Sequence, residues 1–124
     1  MNPLVSVIVP IYNAAPFLKE TLDSIIASTY RPIEIVMVDD GSQDNSLNIA
    51  QDYCTYHPDC VVIAQANQGV TAARNKAIQS AQGTYILPVD ADDKIGDTFI
   101  QQAVEVMEKN DNIRVVGCRC WMFG

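Results

Sequence analysis

Short continuous apolar runs alternate along this chain with stretches whose apolar residues recur every three or four positions. Leu4–Val9 is a run of the first kind, and its lack of polar alternation predicts a strand buried on both faces. Phe17, Leu18, Leu22, Ile25 and Ile26 then recur at helical spacing, and Pro16 suits a first helical turn. Pro32 breaks the chain ahead of a second run, Ile33–Val38. Asp44 is placed to cap a helix through Leu47, Ile49, Ala50 and Tyr53. Cys60–Ala64 predicts a third strand. Gly69 to Ala81 predicts a helix with Ala, Val and Ile on its buried side, stopped by Gly83. Tyr85–Val89 predicts a fourth strand, Asp97 the cap of a helix through Phe99, Ile100, Ala103, Val104 and Met107, and Ile113–Cys118 a fifth strand.

The order is β-α-β-α-β-α-β-α-β. Repeated βα units with near-continuous apolar strands predict an α/β, Rossmann-like fold: a mostly parallel sheet with helices on both faces. Ligands of such sheets sit at the carboxyl ends of the strands, where strand order reverses. Three polar segments fall there: Pro10-Ile-Tyr-Asn13, Asp39-Asp-Gly-Ser42 and Asp90-Ala-Asp-Asp93. All three are expected to face one cleft. No linker, repeat or low-complexity stretch interrupts the pattern, so one domain is expected from residue 1 to residue 124.

Two of those segments end apolar runs in acids. Asp90, Asp92 and Asp93 follow Tyr85-Ile-Leu-Pro-Val89, and Asp39 and Asp40 follow Ile33-Glu-Ile-Val-Met-Val38. Acid-tipped strands suit a hard divalent cation and, through it, a phosphorylated ligand. The formal charge of −7 argues against nucleic-acid binding and sharpens the point. A phosphorylated ligand needs neutralisation that bulk charge does not supply, and a cation on the Asp cluster would supply it. The first residues carry no basic region or cleavage site of a secretory signal, and no apolar run approaches the roughly 20 residues that span a bilayer. Cys54, Cys60, Cys118 and Cys120 include no C-x-x-C pair, and His57 alone completes no zinc set. Reduced thiols in a cytoplasmic protein, or one at the inner face of the membrane, are the expectation.

Four segments, Val7-Ile-Val-Pro-Ile-Tyr-Asn13, Val38-Asp-Asp-Gly-Ser-Gln-Asp44, Asn67-Gln-Gly-Val-Thr-Ala-Ala-Arg-Asn75 and Val89-Asp-Ala-Asp-Asp93, come in an order and spacing that resemble the family 2 inverting glycosyltransferases of GT-A fold. The resemblance covers nearly the whole chain, and its specificity lies in the set. It implies a nucleotide-sugar donor site. The loop of Pro10, Tyr12 and Asn13 would wrap the base, with Tyr12 stacking on it rather than serving as a rim aromatic. Asp40, or next to it Asp39, would accept a hydrogen bond from the base, unless Asp39 only shapes the turn around Gly41 and Ser42. Gly69 would let backbone approach the ligand. Arg74 would contact the donor or the Asp cluster, a surface ion pair being the plainer alternative. Asp90-Ala-Asp92 matches the family's DXD motif. It would place Asp92 on Mg²⁺ or Mn²⁺ and Asp90 on the ribose or the metal, with Asp93 less defined.

The resemblance further implies transfer from a nucleotide donor, a UDP-sugar first among them, to a hydroxyl of a cell-surface glycan or lipid-linked acceptor with inversion. Inversion needs a general base near that hydroxyl. Asp97 and Glu105 fit caps and helix faces better than that role, so the base and the acceptor pocket are expected downstream, in a longer enzyme. The apolar Trp121, Met122 and Phe123 look uncovered, which makes self-association an expectation too. A module that binds nucleotide-sugar without chemistry is the rival from another class. A phospho-receiver domain fits poorly, since the first strand ends in Pro10-Ile-Tyr-Asn13 and the fifth in no lysine. A nucleotidyltransferase would carry a glycine-rich basic loop after the first strand, and no glycine precedes Gly41.

Overall fold

The computed structural model describes residues 2–109. Within them run β1 (Val5–Ile11), α1 (Ala15–Ile26), β2 (Ile33–Asp40), α2 (Ser46–Tyr56), β3 (Cys60–Gln65), α3 (Val70–Ser80), β4 (Tyr85–Pro88) and α4 (Phe99–Lys109). The strands form one sheet in the order β3-β2-β1-β4, with every neighbouring pair parallel. Val5 stands opposite both Ile33 and Tyr85, and Ile35 opposite Cys60. The fifth strand expected at Ile113–Cys118, the apolar Trp121–Phe123 and two of the cysteines lie outside the described residues. Among the described residues no helix is long and apolar enough to cross a membrane.

Alternation along the strands divides the core in two. Val5, Val7, Val9 and Ile11 of β1, with Ile33, Ile35 and Met37 of β2, meet α1, α2 and α4. Leu18, Leu22 and Ile25 of α1 are wholly buried there, each contributing roughly 1.5–3 kcal/mol. Ile8, Val36 and Val38 point the other way, onto Ala73 and Ala77 of α3. The reason is topological. The chain steps outward from β1 to β2 to β3, then must cross back over both to reach β4. A right-handed crossover in the reverse direction lies on the opposite face. Order therefore reverses between β1 and β4, which opens the carboxyl edge of the sheet for a ligand.

Four local expectations change. β1 extends through Pro10 to Ile11, although proline removes a ladder donor. Ile8 accepts from Val89 N–H on the β4 side at 2.9 Å; Pro10, two residues on, faces the same way but past the pairing with β4, which ends at Pro88. The missing donor therefore faces no β4 residue. Asn45, not Asp44, is the N-cap residue of α2, although Asp44 Oδ1 accepts from the first α2 amide, Ser46 N–H, at 2.9 Å. Its Oδ2 accepts from Ala15 N–H at 3.1 Å, and Ser46 Oγ accepts from Ala14 N–H at 2.8 Å. Helix α1, whose own N-cap Ala14 offers no side-chain acceptor, is capped from the β2–α2 loop. The Asp97 contribution is its carbonyl, which accepts from Thr29 N–H at 2.8 Å, while the first helical bond of α4 ends on the Thr98 carbonyl. Gly83 does not stop α3, which ends at Ser80 with an extended Ala81. Glycine is needed there because a Cβ would lie 2.5 Å from Ser6 Oγ.

Candidate functional site

At the carboxyl ends of β1 and β2 lies a cavity of about 300 Å³, lined by Pro10, Tyr12, Asp40, Asn67, Gly69 and Ala73 among others. Asp40 is its hub. Oδ1 accepts from Gln65 Nε2 at 2.9 Å and Gln68 N–H at 2.8 Å, and Oδ2 from Gly69 N–H at 2.9 Å. Burial pushes the Asp40 carboxyl up, but the bonds from Gln65, Gln68 and Gly69 outweigh it and hold the group below the usual carboxylate range. Its carbonyl accepts from Asn67 Nδ2 at 3.1 Å. Gly41 follows at φ +75, where a Cβ would lie 2.8 Å from Asn67 N, so only glycine allows the β3–α3 loop this close. Gly69, at φ +103, is the N-cap of α3.

Asp39 is equally buried but differently occupied. Its Oδ2 accepts from Ser42 N–H at 3.1 Å, and its Oδ1 is buried with no partner among the described residues. Asn13, at φ +50, laces the loops: its Oδ1 accepts from Gln43 N–H at 2.8 Å and its N–H donates to Ser42 Oγ at 2.9 Å. Tyr12 stands half-exposed at the cavity mouth.

Beyond β4 the carboxylates of Asp90, Asp92 and Asp93 offer one oxygen each within 4.8 Å of one another, all exposed. Partial burial, then the charges of Asp90 and Asp92, raise the Asp93 carboxyl. Three oxygen donors crowded in this way fit Mg²⁺ or Mn²⁺, whose charge relieves the repulsion. Arg74 reaches from α3 to within 3.8 Å of Asp90 Oδ1, while its Nε is buried without a partner among the described residues. Its chain neighbour Ala73 lines the cavity. The loop rests on α1: Thr21 Oγ1 donates to the Ala91 carbonyl at 2.8 Å, and Ser24 Oγ accepts from Ile95 N–H at 3.2 Å. A second, larger groove of about 420 Å³ between β4 and α4, with Leu87, Ile100 and Val104 in its wall, is apolar and carries none of these acids.

The structure thus brings Pro10, Tyr12, Asp40 and Gly69 around one cavity and sets Arg74 against Asp90 of the acid triad. The sequence reading missed Gln65, Asn67, Gln68, Thr21 and Ser24. Asn67 and Gln68 stood in the segment that opens α3 and were open to suspicion there. Thr21 and Ser24 sit within a helical pattern and carry no local signal.

Residues 6–121 match Glycosyl transferase family 2. The chain is similar to an uncharacterized glycosyltransferase of Bacillus subtilis, EpsJ, at 46% identity over 118 residues, 95% of this chain and 34% of that protein. It is also similar to the Streptococcus pneumoniae glycosyltransferase GlyG, at 39% identity over 94% of this chain and 39% of that protein. The chain therefore spans about a third of the length of these relatives. Among solved structures, S. aureus TarS 1–349 in complex with UDP superposes with TM-score 0.80 at 28% identity, over 95% of this chain and 38% of that one. A Pyrobaculum calidifontis mannosyltransferase in complex with GDP-Man and Mn²⁺ does so with TM-score 0.80 at 31% identity, over 86% and 33%. The fold, the order of the motifs and these likenesses agree: the chain belongs to glycosyl transferase family 2.

Proposed function

We propose that the chain forms the donor-binding part of a glycosyltransferase that moves a sugar from a nucleotide donor, a UDP-sugar, to an acceptor hydroxyl with inversion. The observation that carries this reading is the occurrence together of the cavity at Asp40 and the acid triad at Asp90, Asp92 and Asp93, with α3 giving Ala73 to the cavity wall and Arg74 to Asp90. The base lies in the cavity against the Tyr12 ring, and Asp40 accepts a base N–H on the lone pair its three donors leave open. Asp39, with its unpartnered Oδ1, is the second candidate for that contact. Gly69 keeps the wall low where the nucleoside passes. Asp92 and Asp90 hold Mg²⁺ or Mn²⁺, which when bound offsets the charge that develops on the diphosphate leaving group.

Support for the nucleotide comes from neighbours whose structures hold UDP, UDP-GlcNAc or GDP-Man, and support for the cation from the one that holds Mn²⁺. The acceptor we infer is a glycan or lipid-linked precursor met at the cytoplasmic face of the membrane. The general base belongs to downstream sequence of a longer enzyme. Calorimetric titration of the chain with UDP, GDP and dTDP, each with and without Mn²⁺, tests the donor site. Metal-dependent binding of one diphosphate supports the reading and names the base. Binding of none, repeated on the longer enzyme, refutes it. Full transfer by the 124-residue chain alone would refute the inference that the base lies downstream.

A further inference from the structure

We infer that Thr21 is the positioning residue of the acid triad: its hydroxyl fixes the backbone between Asp90 and Asp92 and thereby sets the affinity of the triad for a divalent cation. This rests on the reading of the triad as a metal site. The Asp92 and Asp93 carboxylates receive no hydrogen bond from a described residue, and Asp90 has only the 3.8 Å contact with Arg74. Their disposition therefore depends on the loop that bears them. That loop closes on itself through Asp93 N–H to the Asp90 carbonyl, 3.0 Å. Its side-chain hydrogen bonds at residues 91 and 95 come from α1.

Thr21 lies mid-helix and is 1% exposed. A threonine inside a helix often turns its hydroxyl back onto a carbonyl of the preceding turn. Here Oγ1 leaves its own helix and donates at 2.8 Å to the carbonyl of Ala91, seventy residues away and itself buried. Ser24, on the next turn of the same face, accepts from Ile95 N–H at 3.2 Å and donates to the Thr21 carbonyl at 2.7 Å. The loop is thus pinned at residues 91 and 95 by two hydroxyls of one helix face, with all three acids on the 90–93 turn that lies across the first pin. An apolar isostere at position 21 would leave the Ala91 carbonyl unpaired, and the loop would move to find water. Pre-organised carboxylates would become three repelling ones that a cation must gather.

A third hydroxyl supplies an internal control. Thr29, just past α1, donates from Oγ1 to Gln101 Oε1 of α4 at 2.7 Å and to the Asp97 carbonyl at 3.3 Å, the latter on the same β4–α4 connection but beyond the acids. A general loosening of that connection would follow from losing either hydroxyl, whereas positioning of the triad needs only Thr21.

The test is Mn²⁺ binding to the chain without nucleotide, by calorimetry, with circular dichroism as the check on fold. Thr21→Val is expected to weaken Mn²⁺ about tenfold, the low end for outer-shell partners of a metal site. Thr21→Ser, which keeps the donor, is expected to restore parental affinity, and Thr29→Val to keep it. Should Thr21→Val fail to fold, Ser24→Ala carries the test, with a severalfold loss expected from removing the second pin. Parental affinity in a folded Thr21→Val, or an equal loss in Thr29→Val, overturns the inference while leaving the metal site standing. A parent chain that takes up no Mn²⁺ overturns the metal reading and the inference with it.

Discussion

Replacing Asp40 with asparagine tests the wall of the cavity at its hub. The carboxylate is 3% exposed and accepts three hydrogen bonds, two on Oδ1 and one on Oδ2. Asparagine keeps one acceptor oxygen. Its least damaging orientation sets that oxygen against Gln65 and Gln68 and turns the NH₂ toward Gly69 N–H, donor against donor. One charge-assisted bond, about 1.5–3 kcal/mol, is lost, and the other two fall to neutral strength. Together these amount to about 2–4 kcal/mol, measurable as a lowered midpoint in urea denaturation at pH 7. The pH dependence separates this from a packing defect. The folded pKa of Asp40 is depressed, so its contribution is complete above the unfolded value near 3.8 and is lost as pH falls through the folded one. The gap between parent and Asp40→Asn should therefore be flat above that value and narrow below it. A variant as stable as the parent at pH 7, or a gap indifferent to acid, would refute this account of the cavity wall.

Asp92→Asn should abolish Mn²⁺-dependent diphosphate binding at an unchanged thermal midpoint, because the group is exposed and outside the core; parental binding would remove Asp92 from the site. In the parent, Mn²⁺ uptake should weaken as pH falls through the pKa of Asp93, which partial burial and then the charges of Asp90 and Asp92 raise, and calorimetry at stepped pH would show it. Tyr12→Ala should weaken nucleotide binding by about 1–3 kcal/mol, the scale of base–aromatic stacking, with stability unaltered since the ring is half-exposed. Gly41→Ala should lower stability by about 1–2 kcal/mol from the left-handed backbone alone. Its Cβ, 2.8 Å from Asn67 N, should add to that in a urea midpoint.

Strands were legible because burial on both faces writes itself locally. Ile33–Val38 is apolar with one interruption, and its abrupt end in Asp39 and Asp40 marked both the strand terminus and the site. The helices of the first face were legible for the same reason, Leu18, Leu22 and Ile25 recurring at one side of a cylinder. What stayed hidden was every group whose partner comes from another element. Asp44 reads as a cap for the helix beside it, yet its second oxygen serves α1, because the β1–α1 and β2–α2 loops leave adjacent parallel strands at the same edge. Gly83 reads as a helix stop, yet its constraint is Ser6 in a strand formed long before it in the chain. Thr21 reads as helix filler until strand order places Ala91 beside it. Periodicity reports which face a residue turns inward, and says nothing of which element it meets there.

The same distinction bears on how so acidic a chain would hold a diphosphate. In many α/β proteins the start of a helix meets the phosphate directly, through free amides and the positive end of the dipole. Here the amides of Gln68 and Gly69, just ahead of the first turn of α3, already bond the buried carboxylate of Asp40. Negative charge already faces that end of the helix. Arg74, on the helix that also lines the cavity, is drawn toward Asp90. A diphosphate running from the cavity to the triad would meet three exposed carboxylates and a chain of net charge −7. Protein charge alone would repel it. The arrangement makes sense if Asp40 is committed to shaping the base pocket and the neutralising charge is left to a cation on the triad. Donor binding would then be conditional on metal, and the geometry of the 90–93 turn would matter as much as the identity of its acids.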